Sequence, residues 1–256
     1  MPAEQSYTPK PKVLLLDIGG VCVVSPFKAI LEYEQRHSIP VGYINYSIRE
    51  LTPNGAWHKL ERGEIPNDAE YMRLFKADCE RIDLWTKFHH QRLKVVEVPP
   101  VPDINAEELY WTMMSTARAN DPFMYPALKK LKAKGWRLAA MSNTTVFPEG
   151  HVFNERTEED VRELFDLFVS SAHVGMRKPD RGIYDYTMRL IRERWGEEVQ
   201  AGDVVFLDDI GENLKTGKKV GMRTIRVFLG KTEDAVRELE RFTGEELLER
   251  GAKARL

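Results

Sequence analysis

Cysteine is nearly absent: Cys22 and Cys79 are the only two in 256 residues. Two thiols cannot build a disulfide framework, so the fold must rest on its core, and a reducing, cytoplasmic setting is expected. Long apolar runs are missing as well. The first run, Val13 to Val24, is broken by Asp17, Gly19 and Gly20. It falls short of the ~18 apolar residues that suggest a membrane span. It also follows a polar segment with three prolines, Met1 to Lys12, which reads as a loose tail and not as a signal peptide. Charge of one sign is lacking: 38 Lys and Arg against 40 Asp and Glu leave −2. That balance gives no electrostatic case for nucleic acid or an anionic membrane as partner. Internal repeats and low-complexity segments are absent. With 42% hydrophobic and 30% charged residues, the composition is that of an ordinary globular protein.

The apolar residues that are present fall into short, unbroken runs. Val13-Leu14-Leu15-Leu16 ends at Asp17, and Arg137 to Met141 ends at Ser142-Asn143. Leu167 to Ser171 precedes a basic turn, Val204 to Leu207 ends at Asp208-Asp209, and Thr224 to Phe228 is a fifth run. Unbroken apolar character marks strands buried on both faces of a parallel sheet. Helical patterns separate them over Tyr125–Lys134, Glu158–Leu164, Gly182–Arg194 and Asn213–Val220. The alternation predicts an α/β, doubly wound, Rossmann-like sheet. From Pro26 to about Thr116 the texture changes to helical spacing, as in Phe27, Ile30 and Leu31, then Tyr71, Leu74 and Phe75, then Ile82, Trp85 and Phe88. The expected organisation is a discontinuous core, residues 1–24 and 117–256, with a helical insertion over residues 25–116. Thr243 with Glu246 reads as a capping box for a last helix ahead of Leu247 and Leu248.

Polar clusters sit where the apolar runs end, and ligands of open α/β sheets bind at the carboxyl ends of strands. Each cluster alone has an ordinary reading. Asp17 after a strand suits a turn or cap, Ser142-Asn143 suits an N-cap, and Lys178-Pro179 suits a solvated turn. Asp208-Asp209 is harder to explain so, because adjacent carboxylates at the end of a buried strand repel unless a cation intervenes. Together they form a coherent set. Asp17 can serve as a carboxylate nucleophile. Asp208 and Asp209 add charge for Mg²⁺. Ser142 and the N–H groups after it can hold phosphate at a helix N-terminus. Lys178 can neutralise the nucleophile and the transferring group. Gly19-Gly20 lacks a third glycine at dinucleotide-binding spacing, so a Rossmann cofactor site is poorly supported.

In order along the chain, Asp17-Ile18-Gly19-Gly20-Val21, Ser142-Asn143, Arg177-Lys178-Pro179-Asp180 and Phe206 to Leu214 resemble the four motifs of the haloacid dehalogenase-like hydrolases. The fourth run, continued through Gly221 to Ile225, is similar to the N-terminal phosphatase domain of soluble epoxide hydrolases. So are Ser25-Pro26-Phe27 and Pro53 to Trp57 in the insertion. The resemblance implies that Asp17 forms an aspartyl-phosphate and that Asp17, the Gly19 carbonyl and Asp209 hold Mg²⁺, with Asp208 acting through water. It further implies that Ser142 and Asn143 bind phosphate, that Lys178 bridges Asp17 and phosphate, and that the insertion is a cap that selects a small phosphorylated substrate.

One position departs from the pattern. Phosphatases of this family usually carry a second Asp two residues after the nucleophile, as general acid and base, and here that residue is Gly19. The leading expectation is a Mg²⁺-dependent phosphatase. A catalytically silent relative that binds a phosphorylated ligand or a protein is the alternative. A dehalogenase is a third, although that branch carries an aromatic residue at position 19 and does not use paired carboxylates. His89-His90 lacks a third zinc ligand nearby. Lys129, Lys130, Lys132 and Lys134 read as a solvated face, and Trp57, Trp85 and Trp111 as core of the insertion.

Overall fold

The computed structural model describes residues 9–157 and 159–249. The chain enters through β1 (Val13–Leu16) and then runs through α1 (Pro26–Arg36), α2 (Tyr43–Glu50), α3 (Ala56–Glu61), α4 (Ala69–Cys79), α5 (Ile82–Phe88) and α6 (Ala106–Thr116). It returns through α7 (Met124–Ala133) to β2 (Leu138–Ser142) and continues through β3 (Leu167–Ser170) and α8 (Ser171–Val174). The last elements are α9 (Arg181–Trp195), β4 (Val204–Asp208), α10 (Gly211–Val220), β5 (Arg223–Arg226) and α11 (Thr232–Thr243). The strands pair in parallel in the order β3-β2-β1-β4-β5.

β1 lies at the centre, with Leu14–Leu16 beside Leu138–Ala140 and Val13–Leu16 beside Val204–Leu207. Its four side chains alternate between two cores. Leu14 and Leu16 pack with Leu128 and Leu131 of α7 and Val236 and Leu239 of α11. Val13 and Leu15 pack with Ile183, Tyr184 and Ile191 of α9 and Leu214 of α10. Helices on both faces explain why β1, β2 and β4 are buried along their whole length; the edge strand β5, Arg223-Thr224-Ile225-Arg226, buries only Ile225.

Among the described residues, no strand of the sheet falls between Pro26 and Thr116. The helices there close over a core of their own, with Tyr33, Tyr43, Tyr71, Phe75 and Tyr110 buried. α1 begins at Ser25, whose side chain accepts from Phe27 N, with Pro26 in the first turn. Asp68 and Asn105 cap α4 and α6 in the same way. Buried Glu34 is satisfied by the N–H groups of Gly42 and Ile44, at 2.7 and 2.8 Å. Trp85 is buried in this core, whereas Trp57 and Trp111 are only half-buried. Cys22 and Cys79 are free and buried. No helix of the described residues is long and apolar enough to cross a membrane.

Three local expectations are corrected. A helix over Glu158–Leu164 is replaced by one 3₁₀ turn, Val161–Leu164, because Asp160 caps Arg162 N from its side chain and starts the turn late; Glu158 lies outside the described residues. Thr243 does not open a helix but ends α11. Its hydroxyl donates back to Leu239 O, and Gly244, at φ +72, terminates the turn. No helix follows Ser142 either: Asn143 to Pro148 is loop. Of the expected N-terminal tail, residues 1–8 lie outside the described residues, and Lys12 N–H is already bonded to Asp203 O.

Candidate active site

Because β1 is flanked by β2 and β4, their carboxyl ends carry Asp17, Ser142 and Asp208 to one edge of the sheet. Asp17, Ser142, Lys178 and Asp208 are all buried, at 7, 4, 1 and 0% exposure. Asp17 extends β1, its N–H bonded to Leu207 O at 2.9 Å. Its Oδ1 accepts from Ile18 N–H at 2.7 Å and meets Lys178 Nζ at 2.8 Å. Gly20 follows at φ +75, and a Cβ there would lie 2.5 Å from Asp209 Oδ2. Only glycine lets the turn pass the carboxylate.

Lys178 projects into the sheet edge from the loop before α9. Its Nζ also pairs with Asp208 Oδ2 at 2.7 Å. Asn143 fixes its backbone from both sides: Lys178 N–H donates to Asn143 Oδ1 at 2.8 Å, and Asn143 Nδ2 donates to Lys178 O at 3.1 Å. Asp208 is saturated with donors, accepting from Ile210 N–H and from Asn213 Nδ2 as well. Asp209 forms no ion pair among the described residues. The six polar side chains singled out in the sequence are thus brought together, and Gly19 stands beside them with only its backbone to offer.

The structure adds Asn213, whose amide orients Asp208, and Tyr184, whose hydroxyl donates to Asn213 O at 2.8 Å. Asn213 stands within the fourth motif and was visible there as a residue without a role. Arg177 and Glu61 form a buried ion pair at 2.7 Å beside the site. Arg177 stands in the third motif, but Glu61 shows no signal in the sequence, and 116 positions separate the two.

Oxygens of Asp17, Asp208 and Asp209 lie within 4.8 Å of one another. One ammonium faces three carboxylates, so the cluster keeps an excess of negative charge. Burial lifts Asp209 to about 8, with Asp17 and Asp208 adding to the rise. Burial likewise lifts Asp208 to about 6, against the pull of Lys178. Lys178 is itself raised, since its two carboxylates outweigh burial. An all-oxygen donor set with uncompensated charge fits a hard divalent cation such as Mg²⁺.

The same charges set a pH dependence. A carboxyl group raised on folding binds its proton more tightly in the folded state than in the unfolded chain, where its value is about 3.9. Its contribution to stability is full below that value and is lost as pH rises through the folded value. With divalent ions chelated, the protein is expected to lose about 1 kcal/mol or more between about pH 7 and pH 9, chiefly from Asp209. Asp209→Asn should remove most of this slope. Urea unfolding at the two pH values measures it, and equal midpoints in the wild type would contradict the charge assignment.

The sheet edge opens into a cavity of about 1510 Å³, whose walls include Phe27, Ile48, Trp57 and Met114 of the insertion and Phe147 and Phe153 of the loops after β2. Comparison with known proteins matches residues 11–221 to the haloacid dehalogenase-like hydrolase family model. Bifunctional epoxide hydrolase 2 of Sus scrofa is 27% identical over 241 residues, 93% of this chain and 40% of the relative. Acyl-CoA dehydrogenase family member 10 of Mus musculus is 26% identical over 235 residues, 91% of this chain and 19% of the relative. The chain thus spans less than half the length of either. A sesquiterpene phosphatase, astK, of Aspergillus oryzae is 29% identical over 168 residues, 65% of this chain and 69% of the relative. Among solved structures, a dehalogenase superposes with a TM-score of 0.57 at 15% identity, covering 92% of this chain and 98% of the other. A family enzyme of Bacteroides thetaiotaomicron, crystallised with magnesium and inorganic phosphate, superposes at 0.53 and 17% identity, covering 86% of this chain and 96% of the other. Those two structures establish the fold. With the family model covering most of the sequence, the chain belongs to the haloacid dehalogenase-like hydrolases.

Proposed function

We propose that the protein is a Mg²⁺-dependent phosphatase acting on a small phosphomonoester through Asp17. The observation that carries this reading is the buried cluster of three carboxylates around one lysine, Asp17, Asp208 and Asp209 with Lys178. An alkyl-transfer hydrolase needs one carboxylate nucleophile and gains nothing from two further acids. Phosphoryl transfer places negative charge on the reacting group and needs a cation to meet it. Asp17, the Gly19 carbonyl and Asp209 would hold Mg²⁺, with Asp208 through water, and the ion would neutralise charge on the phosphoryl oxygens.

The remaining work falls to the chain. Ile18 N–H and Lys178 fix Asp17 Oδ1, while Oδ2 accepts no hydrogen bond among the described residues and is the oxygen left for attack. Attack on phosphorus forms the Asp17–phosphorus bond, and the alkoxide or phenolate leaves with the electron pair of the broken ester bond. Water then attacks phosphorus, releasing inorganic phosphate and regenerating the Asp17 carboxylate. Lys178 offsets charge on Asp17 and the phosphoryl group in both steps. The Ser142 hydroxyl and the Asn143 N–H bind phosphate, while the Asn143 side chain holds Lys178 in place. Residues 25–116 act as a cap over a core of residues 1–24 and 117–256. The apolar and aromatic cavity walls, and the similarity to a sesquiterpene phosphatase, favour an ester with an apolar body.

The direct test is inorganic phosphate release from a panel of aryl, sugar and prenyl phosphates with and without Mg²⁺. Mg²⁺-dependent release from at least one ester supports the reading. No turnover of any ester, with phosphate still binding, would favour a silent relative. Mg²⁺ should also raise the melting temperature through binding to the folded state alone, and less so in Asp209→Asn. An unmoved wild-type curve at millimolar Mg²⁺ would count against the metal site.

Gly19 predicts a selectivity. A positioned general acid contributes about 10²–10⁴-fold, and glycine supplies none. Turnover should therefore fall steeply as the leaving group becomes more basic, with aryl phosphates strongly preferred over alkyl ones. A Cβ at position 19 would meet only the Pro26 ring, at an ordinary 3.5 Å to Cδ and 3.9 Å to Cγ, so there is room for a side chain. Gly19→Asp should flatten the dependence by raising alkyl phosphate turnover. A flat wild-type series would mean that the proton comes from another group.

A further inference from the structure

The loop after β2 has no helix behind it, yet it must hold Ser142 and Asn143 still. The insertion does much of this work. Thr144 N–H donates to Ser171 Oγ at 2.8 Å, and Ser171 Oγ donates to the carbonyl of Glu61, the last residue of α3, at 2.5 Å. Thr145 Oγ1 shares a hydrogen bond with Tyr110 of α6 at 2.9 Å, and Asn67 Nδ2 donates to the same Tyr110 hydroxyl at 2.7 Å. The contact is close: a Cβ on Gly63, at φ +66, would fall 2.3 Å from Ala172 O.

Glu61 adds a charged link to this seam. Its carboxylate takes Arg177 Nε and Nη2, both at 2.7 Å, with side-chain exposures of only 8% for Glu61 and 12% for Arg177. Arg177 immediately precedes Lys178. The two neighbours therefore reach opposite ways from one stretch of backbone: Arg177 to the insertion, and Lys178 to Asp17 and Asp208. Any movement of the insertion that breaks the Glu61–Arg177 pair frees one side of the segment that carries Lys178. The other side stays tied to Asn143.

We propose that Glu61 is a positioning residue that couples docking of the insertion, through Arg177, to the placement of Lys178. The proposal rests on the reading of Lys178 as a participant in phosphoryl transfer. It makes the lysine fully set only when the insertion is seated, so that the reacting carboxylate is charged for attack when the cavity is closed. When the insertion lifts, Glu61 and Arg177 both return to water, so opening does not strand a buried charge.

The test uses Glu61→Ala, Glu61→Gln, Arg177→Ala and the Glu61→Ala/Arg177→Ala double variant of the full chain. Two readouts are taken: steady-state kinetics on an aryl phosphate with Mg²⁺, and the rate at which an acylating reagent labels Lys178, followed by mass spectrometry. Exposed Lys215 serves as the internal reference. Glu61→Ala is expected to lower kcat by about 10–10²-fold, the scale of a misplaced catalytic group, with little change in KM. Lys178 should be labelled about tenfold faster than in the wild type, while Lys215 is unchanged. The double variant should be no worse than Arg177→Ala alone, as coupled residues require. Glu61→Gln keeps the shape and an acceptor for Arg177, so it should recover part of kcat, and it stands in should the alanine variant fail to fold. If folded Glu61 variants melt earlier but keep wild-type kcat and Lys178 protection, or if the two alanine substitutions add, the residue is only structural and the proposal falls. Should the wild type release no phosphate at all, the functional reading fails separately, and the labelling still decides the coupling.

Discussion

Asp17→Asn is expected to abolish phosphate release, by about 10⁴-fold or more, while leaving the fold intact. The substitution changes one oxygen for an amide nitrogen at nearly the same volume. Lys178 keeps its 2.7 Å contact with Asp208, so the buried ammonium is not stranded. Ile18 N–H can still find the amide oxygen in place of Asp17 Oδ1. One of three crowded carboxylates is removed, which relieves Asp208 and Asp209 of a repulsion that helps to raise them. The melting temperature should therefore change little. Circular dichroism and a phosphate assay on the same preparation check both halves. Activity within about tenfold of the wild type would make Asp17 a ligand or a turn residue, and the assigned chemistry wrong.

Lys178→Met should have the largest effect on stability. The side chain is 1% exposed and forms the only ion pairs of Asp17 and Asp208 among the described residues. Methionine fills similar space but leaves those acids buried without a cation. Removing one partner of a buried pair costs about 3–5 kcal/mol. For a chain of this size that corresponds to a fall of about 6–20 °C in melting temperature. The deficit has a signature that a packing defect lacks. At low pH the acids take up protons and the variant loses its disadvantage, so the gap should narrow below about pH 5 and be widest near pH 8. Millimolar Mg²⁺ should recover part of it at neutral pH by supplying the missing positive charge. Thermal melts across pH measure the gap. A constant difference from pH 5 to pH 8, indifferent to Mg²⁺, would mean that Lys178 is held for packing alone.

Much of the architecture could be read before any coordinates. Val13–Leu16 and Val204–Leu207 are apolar without interruption because helices cover both faces of the sheet, and that burial is written directly in composition. The helical texture of residues 26–116 was legible because these helices bury apolar faces against one another. The site was legible through order and position: acids and a lysine at the ends of strands that turn out to be neighbours. Lys178 taken alone looks like a solvated turn, and only its long-range partners explain why its charge is enclosed. What the sequence concealed follows the same logic. Leu60-Glu61-Arg62-Gly63 looks like any helix end, and the partner that buries Glu61 lies far along the chain at Arg177. The missing helix after Ser142 escaped because its place is taken by distant contacts, Thr144 with Ser171 and Thr145 with Tyr110 of the insertion, which no local pattern records. Thr243 misled because its hydroxyl serves the end of one helix as readily as the start of another.

The central claim is that Asp17 carries the phosphoryl group between substrate and water. It is tested most directly by rapid acid quench of the wild-type protein during turnover of an aryl phosphate labelled with ³²P, with Mg²⁺ present, followed by peptide mapping. The account predicts label on the peptide that contains Asp17, appearing within the first turnover and absent from Asp17→Asn. Turnover with no labelled protein at any time point, or with the label on another residue, would contradict it.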